Sequence, residues 1–264
     1  MRAGWRAWPG LWRAGIASAV AYRAEFVIWM LTTNMPLVML ALWSAVARSG
    51  PVAGYSSADF TAYYLTSLMV RVLTGCWVVW EMSMEIRSGT LSLRLLRPLH
   101  PFVAYAAENL AAFPLRALVA TPILVLLVVF AHDKLTHDWL AWALFLPMLL
   151  GAWLITFLVM AIVGTLALFM ESAIGLFQLW LSVSFVLSGY LIPLDLFPPA
   201  LRQLTAVLPF RFTVSLPIEL VLGRLSHAHA LELMAAQWAY VAGFGVVALW
   251  LWRRGLSRFG AFGG

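Results

Sequence analysis

The stretch that decides the fold is WLAWALFLPMLLGAWLITFLVMAIVGTLALFM, residues 139–170, which has no charged side chain in 32 positions. An α-helix needs about 20 apolar residues to cross ~30 Å of bilayer hydrocarbon. The stretch is too long for one untilted crossing and too short for two. It therefore predicts one long membrane span, kinked near Pro147 because proline removes a helical hydrogen bond.

Composition extends this prediction to the whole chain. Of the 264 residues, 63% are hydrophobic and 11% are charged, against about 45–50% and about 25% in soluble domains. These values exclude a water-soluble globule. Cys76 is the only cysteine, so neither an intrachain disulfide nor a cysteine-based metal cluster can form. The arginines are spread between apolar runs, which favours lipid headgroups over nucleic acid as their partners.

Five other stretches approach the length of a span: 26–47, 60–80, 110–131, 174–194 and 230–252. The sequence thus predicts an all-α integral membrane protein with six transmembrane helices in one domain, residues 1–264. Between these spans, ten Lys and Arg residues fall on the side of the termini and five on the other side. Because basic residues concentrate in cytoplasmic segments, both termini are predicted to be cytoplasmic.

Residues 1–24 have an amphipathic pattern. At ~100° per residue, three arginines lie on one side of a helix and three tryptophans cluster beside them. This pattern predicts a helix lying in the headgroup plane, and the alternative is a disordered basic leader. The residues are Arg2, Arg6 and Arg13, with Trp5, Trp8 and Trp12.

The predicted cytoplasmic loop 81–109 is unusually apolar, with leucines at positions 91, 93, 95, 96 and 99. Glu81 and Glu85 are four residues apart and share a helix face, Gly89 can supply a turn with positive φ, and a short second helix follows. Because a loop in the cytosol would not normally leave five leucines uncovered, something must cover them. The loop is therefore interpreted as a docking helix for a soluble partner, with a membrane-surface connector as the alternative.

The predicted outer segment 193–223 contains five prolines with short apolar runs between them. No single crossing fits this pattern. It predicts two short hairpinned helices that re-enter the outer leaflet, where broken backbone is tolerated only if protein covers it or a cavity lies beside it. An ordinary surface loop is the alternative.

Few polar side chains lie within the spans. Arg71 falls near the middle of the second span and must face protein or water, either as a fixed pair with a carboxylate or carbonyls or as part of a substrate path. Arg116 is predicted to extend to the headgroups. His227 and His229 point apart on a helix and have no third ligand nearby, which disfavours a metal site.

Several local motifs, taken in order, resemble a known family. They are EIRSGTL at 85–91 with LLRP at 95–98, then SGYLIP at 188–193, FP at 197–198 and LPF at 208–210. Together they resemble the permease subunits of type-2 ATP-binding cassette (ABC) transporters, in particular the six-span bacterial branch that includes multidrug exporter subunits. The resemblance covers essentially the whole chain.

The resemblance implies a permease that exports an amphiphilic or drug-like substrate by alternating access across the bacterial inner membrane. Its partners would be two ABC ATPase subunits, which bind ATP and Mg, and a second permease, identical or homologous. It implies a translocation path lined by Arg71, Thr74, Gln178 and Ser182. It also implies an ATPase-coupling surface made by Glu81, Glu85, Arg87, Gly89, Leu95, Leu96 and Arg97.

The chain itself has no sequence of the form GxxxxGK[ST], and its only lysine, Lys134, lies in a predicted outer loop. Such a phosphate-binding loop is what P-loop ATPases require, so the chain is predicted to be neither an enzyme nor the holder of a cofactor. The alternatives are an ion-coupled secondary transporter, which usually carries carboxylates or histidines within its spans, and a lipid- or glycolipid-translocating permease.

Overall fold

The computed structural model describes residues 34–170 and 173–259. Within these residues the chain consists of α-helices and short 3-10 turns, without a β-strand. The predicted interfacial helix at 1–24 lies outside the described residues. The α-helices are α1 (Met35–Val46), α2 (Ser57–Thr74), α3 (Val78–Arg87), α4 (Leu91–Leu95), α5 (Pro101–Ala111), α6 (Phe113–Ala131), α7 (Trp139–Leu166), α8 (Ala173–Leu187), α9 (Pro199–Val207), α10 (Ser215–Val221) and α11 (His227–Phe259).

Among the described residues, four helical segments are long and apolar enough to cross a membrane: Ser57–Arg87, Pro101–Lys134, Trp139–Leu166 and His227–Ser257. They correspond to the predicted second, third, fourth and sixth spans. The other two apolar helices, α1 and α8, have 12 and 15 residues. An all-α architecture with four candidate membrane-spanning helices is therefore confirmed for the described residues, whereas the count of six spans stays a prediction.

The predicted second span is not one continuous helix. α2 ends at Thr74 and α3 begins at Val78, because Gly75 takes an extended backbone with φ −52° and ψ 139°. Glycine is among the weakest helix formers, so a break here costs little. α3 then continues past the predicted end of the span, to Arg87.

The predicted loop 81–109 is mostly helical. It contains the end of α3, all of α4 and most of α5, and only Ala112 separates α5 from α6. Pro114, in the first turn of α6, explains this interruption because it has no backbone N–H to donate to the preceding turn. The helical segment that contains the predicted third span thus begins at Pro101, before the predicted residue 110.

α7 confirms the interpretation of the long apolar run as one span. It is an uninterrupted helix of 28 residues with Pro147 inside it. The carboxylate of Asp138 caps its start by accepting a hydrogen bond from the Leu140 N–H at 3.0 Å. The helix ends at Leu166, four residues before the end of the apolar run.

The connecting segments gather at two ends of the helix bundle. At the first, the Asp195 end, Lys134 forms an ion pair with Asp59 at 3.2 Å. At the second, the Arg94 end, the rings of Phe102 and Trp252 lie 5.1 Å apart. The Asp195 end holds the segments 47–56, 132–138 and 188–226, and the Arg94 end holds 88–100 and the last turns of α11.

Burial divides the helices into a centre and a periphery. Of the most apolar stretch of Ser57–Arg87, 83% is buried, compared with 17% for Pro101–Lys134 and for His227–Ser257. α2 packs against α1 and α6, and α7 packs against α3 and α11. α2 and α3 therefore form the interior, while α6 and α11 present broad apolar surfaces to their surroundings.

Candidate functional site

Four side chains tie α3, α4 and α5 together at the Arg94 end, and we call them the Arg94 cluster: Glu85, Arg94, Tyr105 and Glu108. Arg94 Nη2 lies 2.6 Å from Glu85 Oε1, and its Nη1 lies 3.0 Å from both carboxylate oxygens of Glu108. The guanidinium carbon is 4.0 Å from the centre of the Tyr105 ring. Tyr105 Oη donates to Glu85 Oε2 at 2.5 Å, so Arg94 contacts the other three members.

Two carboxylates around one guanidinium keep it ionised. Burial acts to lower the pKa of Arg94, but the hydrogen bonds to Glu85 and the charge of Glu108 raise that pKa above its ordinary value. Paired hydrogen bonds of this type fix direction as well as distance. The cluster therefore holds α3, α4 and α5 in one arrangement.

The structure places the predicted coupling residues along α3, the following turn and α4. Gly89 has φ +74°, which confirms the predicted positive-φ turn. Glu85 belongs to the Arg94 cluster, whereas the others lie around it. Glu81 and Leu95 are half-buried, and Arg87, Leu96 and Arg97 are exposed.

The chain itself covers three of the five leucines of the loop, fully or in part. Leu91 is fully buried against the core, and Leu95 and Leu99 are half-buried. Leu93 and Leu96 are 63% and 82% exposed. Because these two are three residues apart, they form a small apolar patch on the exposed surface of residues 88–97.

A groove of about 520 Å³ lies beside the cluster, between α3 and the start of α8. Met84 and Trp80, which are 68% and 40% exposed, give it an apolar wall. The complete lining is Trp80, Glu81, Ser83, Met84, Arg87, Ser88 and Ile174.

Tyr105 and Glu108 lie within the predicted loop 81–109, but the sequence did not predict them as members of the coupling surface. Their spacing of three residues places both on one helix face, and that was a usable signal. What the sequence does not indicate is that Arg94, fourteen residues before Glu108, turns back to meet them.

Arg71 contacts aromatic rings. Its guanidinium carbon lies 5.2 Å from the centre of the Tyr190 ring and 5.8 Å from that of Phe185. Across the described ranges, no carboxylate lies within ion-pair distance of it. The predicted pairing with a carboxylate is therefore not found there.

The other predicted path residues lie on α2 and α8. Thr74 is buried and its hydroxyl donates to the Val70 carbonyl at 2.8 Å, within its own helix. Gln178 and Ser182 are exposed, and the Ser182 hydroxyl donates to the Gln178 carbonyl at 2.8 Å. Phe185 follows at helical spacing on the same face of α8. Arg71 is thereby placed next to the face that carries Gln178 and Ser182.

The prediction that Arg116 extends to the headgroups is wrong. Arg116 is 1% exposed, donates from Nη2 to Asn109 Oδ1 at 3.0 Å and lies 5.0 Å from the centre of the Trp77 ring. The reason is α5, which continues the helix towards the Arg94 end and places Asn109 two turns away. Trp153 also donates to Asn109 Oδ1, at 3.3 Å.

The outer segment contains the two short helices predicted for it, α9 and α10. Tyr63 and Tyr64 of α2 donate hydrogen bonds to the carbonyls of Gly189 and Leu191 at 2.7 and 2.8 Å. Tyr55 donates to Asp195 at 2.8 Å. These bonds hold the start of the segment against α2, and its depth in the membrane stays a prediction.

A buried carboxylate, that of Glu219, lies in α10. Glu219 is 8% exposed, accepts hydrogen bonds from Ser215 and Arg211, and lies 3.1 Å from the Arg211 Nη2 atom. Burial raises the pKa of Glu219, and the positive charge of Arg211 opposes that change. The pair fixes α10 to the turn before it.

The histidines at the start of α11 have carboxylate neighbours. His227 contacts Asp138, and His229 Nδ1 lies 3.2 Å from Glu232. The first contact joins the starts of α7 and α11 at the Asp195 end, and in the described part of the chain no cluster of three metal-binding side chains surrounds either histidine.

The comparisons with known proteins agree with the helical architecture. A family model described as ABC-2 family transporter protein matches residues 30–263. No curated protein matches the chain.

Proposed function

Because the chain belongs to the ABC-2 family of transporter proteins, we propose that it is the permease subunit of an ATP-driven exporter in the bacterial cytoplasmic membrane. In this proposal it moves an amphiphilic or drug-like substrate by alternating access. Two ABC ATPase subunits bind and hydrolyse ATP with Mg, and a second permease, identical or homologous, completes the path.

The observation that carries the proposal is the Arg94 cluster. It joins three helices of the Arg94 end through one guanidinium, with side chains only 13–27% exposed. On the outer side of this unit, Leu93 and Leu96 form an apolar patch, and Arg97 lies beside it. An apolar centre with a charged rim is the composition of a protein interface. In the proposal this patch docks on the ATPase.

The unit also connects directly to two membrane helices. Three residues separate α2 from α3, and one residue separates α5 from α6. A displacement of α4 by the ATPase would therefore reach two spans at once. This is the geometry that coupling requires, because the free energy of nucleotide binding and hydrolysis has to be transmitted through contiguous packed elements.

The proposal includes six spans with both termini in the cytoplasm. α8 is ~22 Å long at ~1.5 Å per residue, which is short for a complete crossing. The segment that follows it is tied to Tyr63 and Tyr64, about two turns into α2. A re-entrant outer segment would therefore complete the membrane crossing that α8 begins. Its non-helical backbone would be covered by protein, as the apolar environment requires.

The test of coupling replaces Leu93 and Leu96 with Ser. Purified with its ATPase and reconstituted in liposomes, this variant should lose ATPase association or show a severalfold lower transport rate per ATP hydrolysed. The matched control replaces Leu201 and Leu204 with Ser. These leucines are 42% and 49% exposed on α9 at the opposite end, so the control should behave as the wild type.

Normal association and normal transport per ATP in the Leu93/Leu96 variant would reject the coupling surface. The same defect in both double variants would also reject it, because the effect would then come from general loss of apolar surface.

A further inference from the structure

Arg71 is a charged residue inside a membrane-spanning helix, three residues before the end of α2. A charge at this depth is costly, and such residues usually face a partner or a water-filled cavity. Arg71 is only partly buried, so its environment is not sealed. The question is which group compensates its charge.

The described part of the chain supplies no compensating charge. The guanidinium lies over the rings of Phe185 and Tyr190, which stack on each other at 5.0 Å, and it also contacts the neutral hydroxyl of Tyr190. Its Nε atom is buried and has no hydrogen-bond partner in that part of the chain. Aromatic faces attract a cation, but they do not neutralise it, so the guanidinium keeps its capacity to bind an anion.

The surroundings fit an amphiphile. On one side of the guanidinium are the two stacked rings, and along the same face of α8 lie the exposed side chains of Gln178 and Ser182. An apolar wall with a few placed polar groups is the composition of a small-molecule site. A cationic compound would be repelled by Arg71, whereas a carboxylate or phosphate would form charge-assisted hydrogen bonds with it.

Building on the proposed function, we propose that the transported amphiphile is anionic. Arg71 binds its carboxylate or phosphate group, while its apolar body lies against Phe185 and Tyr190. The site thereby selects anionic amphiphiles over neutral or cationic ones of the same size.

The test measures equilibrium binding of 11-(dansylamino)undecanoic acid and of its methyl ester to the full chain in nanodiscs at pH 8. The two probes share one apolar body and differ in charge. The wild type should bind the acid about tenfold more tightly than the ester, a difference of one charge-assisted contact. Arg71→Gln should remove this preference, and Arg71→Lys should keep part of it.

Arg254→Gln is the matched control, because Arg254 is exposed and also lies over an aromatic ring, that of Trp250, at 4.3 Å. It should leave the preference unchanged. Equal binding of acid and ester by the wild type would overturn the proposal, as would equal weakening of both probes by Arg71→Gln together with a lower melting temperature. The measurement needs no ATPase, so loss of ATP coupling and loss of anion preference are separate results.

Discussion

Tyr63 donates a hydrogen bond from its hydroxyl to the carbonyl oxygen of Gly189 at 2.7 Å, and both residues are buried. The bond joins the second turn of α2 to the turn that ends α8. Gly189 has φ +85°, and a Cβ atom at this position would lie 2.6 Å from the Tyr63 hydroxyl oxygen. The turn thus depends on glycine for two independent reasons, conformation and space.

Gly189→Ala should destabilise the protein by about 2 kcal/mol or more, because it adds the cost of a left-handed backbone to a steric conflict with Tyr63. Thermal unfolding in detergent measures this change. Gly243→Ala, at a position in α11 with nothing within 4 Å of the added atom, should be neutral or slightly stabilising. Equal melting temperatures for the two variants would contradict the prediction.

Arg94→Gln should loosen the arrangement of α3, α4 and α5. It leaves Glu85 and Glu108 without their common cation, which costs about 1–3 kcal/mol after allowance for partial exposure. The reconstituted complex should also hydrolyse ATP with less transport. Arg48→Gln, at an exposed position on the opposite end, is the control, and unchanged transport per ATP in Arg94→Gln would show that the cluster has no role in coupling.

Substitutions at Arg116 and at Asn109 should change the stability of the protein in different directions. Asn109→Ala removes the one hydrogen-bonded partner that the described residues give to the buried Arg116 guanidinium, and it should destabilise the protein by about 1–3 kcal/mol. Arg116→Met removes the buried charge at similar volume and should be neutral or stabilising. A melting temperature for Arg116→Met lower than that for Asn109→Ala would contradict this account.

Acidification should destabilise the Arg94 end through His100. Burial, and then the positive charge of Arg253, lower the pKa of His100 below its ordinary value of 6.5. In the pH range between the lowered pKa of His100 in the folded protein and its ordinary pKa in the unfolded chain, the unfolded chain binds more protons. The free energy of unfolding therefore falls as the pH drops below about 6.5. Melting temperatures between pH 5 and pH 8 should show this decline.

His100→Asn is the informative variant for this effect. The Nδ1 atom of His100 accepts a hydrogen bond from the Phe102 N–H at 3.2 Å, and an Asn side chain caps a helix in the same way without titrating. The variant should lose part of the acid sensitivity. His137→Asn, at an exposed position on the other end, should keep all of it, and the opposite ranking would rule out this origin.

The orientation in the membrane can be tested by cysteine labelling, because Cys76 is buried and should give little background. An impermeant maleimide added to intact cells should label Asp133→Cys and leave Arg97→Cys unlabelled until the membrane is opened. Labelling of Arg97→Cys alone in intact cells would reverse the predicted orientation.

Hydropathy predicted the membrane helices well, because a long uncharged run has few alternatives to a helix in lipid. α7 follows from the run at 139–170, and the positive φ of Gly89 follows from a glycine between two helical patterns. The break at Gly75 was not predicted. A single glycine within an apolar run is a weak signal when neighbouring helices decide whether the backbone continues.

The site was predicted less completely, because its contacts join residues far apart in the chain. Leu91 and Leu93 have the same side chain two positions apart, yet one is buried and the other exposed. Arg116 follows the pattern of a headgroup-seeking arginine, but Asn109 and Trp77 hold it inside. Hydropathy describes the average environment of a segment and does not identify the partner of an individual side chain.

The two interruptions at Gly75 and at Ala112 have a mechanical consequence. Each lies where the coupling unit of α3, α4 and α5 joins a membrane helix, and Arg116, just after the second, lies over Trp77, which belongs to the first. Rotation of a few backbone dihedrals at these two places can tilt the unit while the hydrogen bonds of α2 and α6 remain intact. If the unit couples to an ATPase as proposed, the pair would act as a hinge with its axis near Arg116, and the membrane helices would be reoriented without being unwound in lipid.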